Sequence, residues 1–128
     1  MYTDASLLGV SAVLTQTVDQ VPHPIAYFSR KLTKAQRSYA TIELELLAII
    51  SGLQAFSVYV GSGPITIFSD HNPIVWLKSS RTSNQRLLRW ALCLSEYNLQ
   101  IKHIKGSDTV LADWLSRNPT GSADSHSM

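Results

Sequence analysis

Four acidic side chains lie at the edges of apolar stretches, where a carboxylate is unfavourable unless something binds it. They are Asp4, Glu45, Asp70 and Asp113. Two carboxylates 4 Å apart repel by about 4 kcal/mol at an effective dielectric of 20. Hard divalent cations such as Mg²⁺ relieve that repulsion because they bind oxygen ligands. The pattern indicates a candidate Mg²⁺ site; the alternative, on spacing alone, is four unrelated surface acids.

Size and composition fit one globular domain. The chain has 128 residues, 45% of them hydrophobic and 16% charged, which is enough for a buried core. The longest apolar run, near residues 46–53, is too short to cross a bilayer, and the polar opening residues do not predict a signal peptide. The single Cys93 excludes an internal disulfide and fits a reducing compartment. We therefore expect a cytoplasmic protein.

Basic residues gather in two segments of a chain whose net charge is only +2. If the four acids bind metal, the remaining surface carries +2 plus 4, or +6. Basic segments that flank an acidic cleft favour a polyanionic substrate, although each segment alone equally fits a solvated helix face. Eight of the eleven Lys and Arg residues lie in these segments: Arg30, Lys31, Lys34 and Arg37, then Lys78, Arg81, Arg86 and Arg89.

The first part of the chain predicts strands followed by a long helix. The opening residues predict a first strand that carries Asp4. Apolar alternation over residues 10–14 and an aromatic run over residues 25–29 predict two more strands, with a turn at Pro22-His23-Pro24. Thr33 and Gln36 match a capping box, which predicts a helix that runs to about Val58. Its apolar residues recur at spacings of three and four, which predicts one buried face.

The second part predicts a strand at 65–68, helices after Asn72 and over 87–94, a strand at 99–104 and a last helix from Asp108 to Arg117. The element order is β-β-β-α-β-α-α-β-α. We therefore predict one α/β domain with a mixed sheet over residues 1–117, and a disordered tail or linker over residues 118–128.

In this order the chain resembles the ribonuclease H fold, and more narrowly the ribonuclease H domain of gypsy-type LTR retrotransposon reverse transcriptases. The matching segments occur in register and cover residues 2–117. They are Thr-Asp-Ala-Ser-x-x-Gly (3–9), His-Pro-Ile-Ala-Tyr-x-Ser-Arg-Lys-Leu-Thr (23–33), Glu-Leu-Leu-Ala-Ile (45–49), Ser-Asp-His-x-Pro (69–73), Leu-x-Arg-Trp (87–90) and Ala-Asp-x-Leu-Ser-Arg (112–117).

The resemblance implies a five-stranded mixed sheet flanked by helices and an endonuclease that cuts the RNA strand of RNA–DNA hybrids with two Mg²⁺ ions, for which Mn²⁺ can substitute. By match, Asp4 bridges both ions, Glu45 and Asp70 share the first, and Asp113 completes the second. The expected partners are the hybrid and the polymerase domain of the same polyprotein, within a retroelement particle.

The resemblance also suggests how the substrate is held. Main-chain groups around Ser6 and Gly9 could contact the 2′-hydroxyls that distinguish RNA from DNA. The candidates for phosphate contact are Arg30, Lys31, Arg81 and Arg86.

Glu43 competes with Glu45 for the helical position of the site. Two residues apart on a helix, the two side chains point about 200° apart, so only one can face a given site. The helical neighbours of Glu45 towards the C-terminus, Ala48 and Gly52, are small, and we expect them to leave room for an open cleft. This, with the motif match, favours Glu45.

The first strand is expected to be short. The family pattern has several apolar residues before Thr3, whereas this chain has only Met1 and Tyr2, so the strand looks truncated and Asp4 poorly anchored. The alternative function is a non-catalytic ribonuclease H-like module that binds nucleic acid or braces a polymerase domain. A host protein derived from a retroelement is equally compatible with the sequence.

Overall fold

The computed structural model describes residues 1–69, 72–79 and 84–104. The predicted last helix, the tail and the residues Asp70, His71, Arg81 and Asp113 lie outside these ranges. No helix in the described ranges is long and apolar enough to span a membrane.

A five-stranded mixed sheet forms the centre of the fold, in the order β3-β2-β1-β4-β5. β2 is antiparallel to both β1 and β3, whereas β4 is parallel to both β1 and β5. The mixed sheet is as the sequence predicted. The strands are β1 (Tyr2–Ala5), β2 (Gly9–Val18), β3 (Val21–Lys31), β4 (Pro64–Ser69) and β5 (Asn98–His103).

The helices are α1 (Thr41–Ala55), α2 (Ser57–Val60), α3 (Pro73–Ser79) and α4 (Gln85–Ser95). The predicted apolar face of α1 is confirmed, because it packs into the main core cluster. The Asn72 side chain accepts a hydrogen bond from the Val75 amide at 3.1 Å and so caps α3, the helix predicted after it. The α1 residues with no exposed surface are Leu46, Ile49 and Leu53.

The prediction of one helix from Thr33 to Val58 is wrong at both ends. The capping box does form, with Thr33 and Gln36 bonded reciprocally at 3.1 and 3.2 Å, but it closes only one 3-10 turn, Gln36–Ser38. The backbone is then extended at Ala40, and α1 begins after it. Capping stabilises only the first turn of a helix, so it does not determine how far the helix continues.

The predicted turn at Pro22–Pro24 is also wrong. The chain reverses at Asp19 and Gln20, both of which have positive φ, and the two prolines lie within β3. β3 is an edge strand in the described sheet, and an edge tolerates prolines because their missing N–H groups can face solvent.

Candidate active site at the end of β1

Asp4 lies near the C-terminal end of β1, the short central strand. It is half-buried and pairs with Ser11 on β2. Successive side chains alternate between the faces of a sheet. Thr3 and its partner Ala12 face α1, because a Cβ added at Gly52 of α1 would lie 2.7 Å from the Ala12 Cβ. Asp4 therefore lies on the opposite face of the sheet.

Helix α1 runs antiparallel to β1. Gly52 packs against Met1 and Ala12 at the start of β1, whereas Ala48 belongs to the cluster that Ala5 joins at the end of β1. Glu45 precedes Gly52 by two helical turns, about 10.5 Å at 1.5 Å per residue. Asp4 follows Met1 by three residues, about 10 Å along a strand. Helix and strand therefore carry both carboxylates to the same end of the sheet.

The Glu45 side chain is half-buried, and its Oε2 atom is buried. The small residues beside it do not form the open cleft that we expected. Ala48 is 1% exposed, and a Cβ at Gly52 would also lie 3.1 Å from the Met1 Sδ. Small side chains here allow α1 to approach the sheet closely. That contact fixes where Glu45 lies relative to the length of β1.

Glu43 has a different role. Its Oε1 accepts a hydrogen bond from the Ala40 amide at 3.0 Å, which satisfies a donor at the start of α1. Its Oε2 pairs with the Arg86 guanidinium of α4. Both oxygens are therefore committed within the fold, which supports Glu45 as the α1 residue of the site.

The structure describes only two of the four predicted acidic residues. Asp70 directly follows Ser69, the last residue of β4, and Asp113 belongs to the segment after Ile104; both lie outside the described residues. Within residues 1–69, 72–79 and 84–104, no group of three or more His, Cys, Asp or Glu side chains could hold a metal. Asp4 and Glu45 are thus the described half of the predicted set.

Two of the four residues predicted to contact phosphate, Arg30 and Arg86, instead bind partners within the protein. Arg30 donates from Nη1 to Gln36 Oε1 at 3.0 Å and to the Lys31 carbonyl at 3.1 Å, and from Nη2 to Ser51 Oγ at 3.4 Å. Arg86 pairs with Glu43 and lies 4.0 Å from the centre of the Tyr39 ring. These contacts link β3 and α4 to α1, so both arginines have structural roles.

Lys31 is placed differently. It is exposed and pairs with Gly9 on β2. Gly9 is two residues from Ser11, the partner of Asp4, so Lys31 and Asp4 lie on the same face at the same end of the sheet. Among the described candidates for phosphate contact, Lys31 is the exposed one, and its contact with phosphate stays a prediction. Arg81 lies outside the described residues.

The turn between β1 and β2 is closed by its own hydrogen bonds. The Ser6 hydroxyl accepts from the amides of Leu8 and Gly9, each at 3.1 Å, and the Ser6 amide donates to the Gly9 carbonyl at 2.9 Å. A Cβ at Gly9 would lie 2.7 Å from the Arg30 carbonyl oxygen. Both residues shape the turn beside Asp4, and their contact with substrate stays a prediction.

Sequence reasoning missed two serines. Ser11 and Ser29 pair with each other, and Ser11 pairs with Asp4, so the three side chains form one polar row on the same face. Ser11 is 1% exposed. The signal in the sequence was a serine within the apolar run of β2, but only the register of the strands connects it to Asp4.

Residues 1–97 match the family described as "RNase H-like domain found in reverse transcriptase". The chain belongs to this family. The chain is 42% identical over 93% of its length to the retrovirus-related Pol polyprotein from transposon opus of Drosophila melanogaster. It is 41% identical over 91% of its length to that from transposon 297 of the same species.

A third relative, the transposon Tf2-3 polyprotein of Schizosaccharomyces pombe, is 39% identical over 91% of this chain. The chain spans 9–12% of the length of these three relatives. The predicted kinship with retrotransposon Pol polyproteins is therefore confirmed, and the gypsy-type subclass is compatible with it.

The solved structure of RNase H1 from the archaeon Halobacterium salinarum NRC-1 aligns with a TM-score of 0.63 at 16% identity. The alignment covers 92% of this chain and 96% of that one. This likeness shows the fold alone and confirms the predicted ribonuclease H-like α/β architecture, a five-stranded mixed sheet with helices.

Proposed function

We propose that this domain is a ribonuclease H that hydrolyses the RNA strand of RNA–DNA hybrids as part of a reverse transcriptase. The observation that carries the proposal is the common position of Asp4 and Glu45 at the C-terminal end of β1. A strand and a helix from distant parts of the sequence place these two carboxylates at one end of the sheet, and carboxylate oxygens are the ligands that hard cations need.

We propose that Asp70 and Asp113 complete the site. β1 and β4 are parallel neighbours, with Tyr2 paired to Phe68. Asp70 directly follows Ser69, the last residue of β4, in the sequence, which supports its place in the set. Asp113 completes the set by its match to the family motif.

The donor set fits Mg²⁺, because carboxylate oxygens are its preferred protein ligands. Two such ions, when bound, activate the attacking water and stabilise the leaving 3′ oxygen of the RNA. The protein's part is to fix the oxygens: the strand pairing of Asp4 with Ser11 and the burial of Glu45 Oε2 restrict both ligands. The site can then bind a cation with little rearrangement.

On the substrate side, we propose that Lys31 contacts a phosphate of the hybrid and that the Ser6–Gly9 turn borders the RNA strand. Two apolar side chains of this turn support the second role, because Leu7 and Leu8 are 75% and 79% exposed beside Asp4. We also propose that the domain works in cis with a polymerase domain of the same polyprotein, in a cytoplasmic retroelement particle.

The test is cleavage of a labelled RNA–DNA hybrid with Mg²⁺ present or chelated. We expect cutting of the RNA strand alone, reduced at least ~100-fold in Glu45→Gln and in Asp70→Asn. Glu43→Gln is the matched control, because it makes the same chemical change two residues away on a side chain committed to Ala40 and Arg86. Equal activity in Glu43→Gln and Glu45→Gln would contradict the assignment.

The alternative is a non-catalytic module that braces a polymerase domain. Apolar side chains exposed on α3 and α4 favour it, since Val75, Leu88 and Leu92 are 57%, 60% and 61% exposed and such patches mark contact surfaces. Hybrid binding without Mg²⁺-dependent cleavage, together with weakened polymerase association in Leu88→Ser, would support the bracing module instead.

A further inference from the structure

Helix α1 begins at a residue that cannot cap it with a side chain. This residue is Ala40, whose backbone is extended and whose side chain has no oxygen to accept the first amides of the helix. The preceding 3-10 turn ends at Ser38, so the two elements are separate. Glu45 is the fifth residue of α1. The candidate metal ligand therefore lies close to a helix end of the kind that frays unless other contacts hold it.

Arg86 of α4 contacts the chain on both sides of this break. After the break, its guanidinium pairs with Glu43, which also accepts the Ala40 amide at 3.0 Å. Before the break, the guanidinium lies 4.0 Å from the centre of the Tyr39 ring, which is within the range of a cation–π contact. Trp90, one turn further along α4, lies edge-on to Tyr39 with 6.0 Å between the ring centres. One arginine thus connects the incoming chain to the first turn of α1.

A second contact fixes α1 farther along. Gly52 packs against Ala12 of β2, because a Cβ added to this glycine would lie 2.7 Å from the Ala12 Cβ. Gly52 follows Glu45 by two turns and lies on the same side of the helix, whereas Glu43 points about 200° away from Glu45. Contacts on opposite sides of a helix resist rotation about its axis as well as sliding along it. The orientation of Glu45 therefore depends on the Arg86 contact as well as on Gly52.

The Arg86–Glu43 pair is better suited to fixing a geometry than to adding stability. The two side chains are 29% and 15% exposed, so both charges lose much of their hydration. The Arg86 Nε atom is also buried and has no hydrogen-bond partner among the described residues, which is unfavourable. Buried ion pairs are often no more stabilising than apolar side chains of similar volume, but they can select one arrangement of the elements that they join.

We propose that Arg86 is a positioning residue for Glu45, and thereby for metal binding at the end of β1. The inference rests on the proposed function, in which Glu45 is a metal ligand. Arg86 acts through Glu43 and the first turn of α1, and it does not itself contact the metal or the hybrid. A misplaced carboxylate binds a cation more weakly, because Mg²⁺ accepts its oxygen ligands only in near-ideal geometry. Loss of Arg86 therefore weakens metal binding and slows cleavage, while hybrid binding stays unchanged.

The test is a titration of the full chain with Mn²⁺ alone, followed by the electron paramagnetic resonance signal of the free ion. We expect Arg86→Met to weaken Mn²⁺ binding about 10-fold, as changes to groups that orient metal ligands do. Arg86→Lys keeps the charge beside Glu43 but loses the planar group that stacks on Tyr39, so we expect an intermediate affinity. Arg89→Met is the matched control, because Arg89 is an exposed arginine on the same helix.

Two further variants separate positioning from a general loss of stability. Leu94→Val removes one buried methylene group at the other end of α4, and we expect it to lower the Tm without weakening Mn²⁺ binding. Glu45→Gln tests the metal site itself and should weaken Mn²⁺ binding more than Arg86→Met does. In hybrid cleavage, Arg86→Met should lower kcat and leave KM unchanged, whereas loss of a phosphate contact would raise KM.

Weaker Mn²⁺ binding in Arg86→Met, with Arg89→Met and Leu94→Val unaffected, would support the positioning role. Equal Mn²⁺ affinities of Arg86→Met and Arg89→Met, beside weakened binding in Glu45→Gln, would overturn it and leave the proposed function intact. An equal loss of affinity in Leu94→Val, or a raised KM with unchanged Mn²⁺ affinity in Arg86→Met, would overturn it as well. Absence of Mn²⁺ binding by the unaltered chain would contradict the proposed function and this inference together.

Discussion

Arg86 of α4 forms an ion pair with Glu43 in the first turn of α1, 43 residues away in the sequence. The guanidinium also lies 4.0 Å from the centre of the Tyr39 ring and 5.5 Å from that of Trp90. The same Glu43 accepts the Ala40 amide at the break before α1. One side chain of α4 therefore fixes the start of the helix that carries Glu45, two residues farther on.

Arg86→Ala should destabilise the domain. The two side chains of the pair are 29% and 15% exposed, so the change leaves a largely buried Glu43 carboxylate without its partner. We expect a loss of about 1–2 kcal/mol in the free energy of unfolding, measured by urea denaturation. Arg89→Ala is the matched control, because Arg89 is an exposed arginine on the same helix. Equal stability of the two variants would contradict a structural role for Arg86.

Gly52→Ala should destabilise the domain and displace Glu45. The added Cβ would lie 2.7 Å from the Ala12 Cβ and 3.1 Å from the Met1 Sδ, so α1 must move away from the sheet. Overpacking of this kind costs about 1–3 kcal/mol, and we expect hybrid cleavage to fall with it. Gly63→Ala is the control, since its Cβ would meet the Val60 carbonyl oxygen at an ordinary 3.5 Å. A Gly52→Ala variant with normal stability would exclude close helix–sheet packing at this point.

Sequence periodicity predicted the elements that depend on local patterns. The apolar face of α1 and the strand before Asp70 follow from residue spacing, because burial of one face imposes that spacing. Ordered motifs likewise pointed to Asp4 and Glu45. The break before α1 at Ala40 was not predicted. It depends on the ion pair between Glu43 and Arg86, and local sequence patterns do not connect these two residues. Arg30 and Arg86 resembled phosphate ligands for the same reason: a residue type does not reveal which partner the tertiary structure supplies.

The stability of the domain should rise with pH between about 6 and 8. Burial lowers the pKa of the Met1 amino group from 8.0 to about 6, so in this interval the unfolded chain binds more protons than the folded one. Above pH 8 the amine is neutral in both states, and its burial does not lower the stability. Below pH 6 it is protonated in both states, and burying the charged amine lowers the free energy of unfolding by the full amount. Lowering this pKa from 8.0 to about 6 corresponds to a change of about 2–3 kcal/mol in the free energy of unfolding.

Urea denaturation at pH 5.5 and pH 8 measures this change, with N-terminally acetylated protein as the control. Acetylation removes the titrating amine and keeps an N–H that can donate to the Thr66 carbonyl, as the amino group does at 2.5 Å. The other ionisable residues that line the cavity beside Met1, Tyr59 and Lys102, are unchanged in that control. An identical pH dependence in both proteins would show that the Met1 amine is not the group responsible.

Lys31→Ala should weaken hybrid binding without affecting the fold. Lys31 is exposed on the Asp4 face of the sheet, opposite Gly9, whereas its neighbour Arg30 is bonded to Gln36 and Ser51. Loss of one phosphate contact should lower affinity at low salt and reduce the slope of log K against log salt by about 0.9. Binding titrations at several salt concentrations measure both quantities.

Arg30→Ala should have the opposite effect, lowering the stability without weakening hybrid binding. We expect it to lower the free energy of unfolding by about 1–2 kcal/mol and to leave the salt slope unchanged, because its guanidinium faces α1 and not the substrate. If Arg30→Ala reduced the salt slope while Lys31→Ala did not, the hybrid would contact the α1 side of the sheet. That result would contradict the proposed phosphate contact of Lys31.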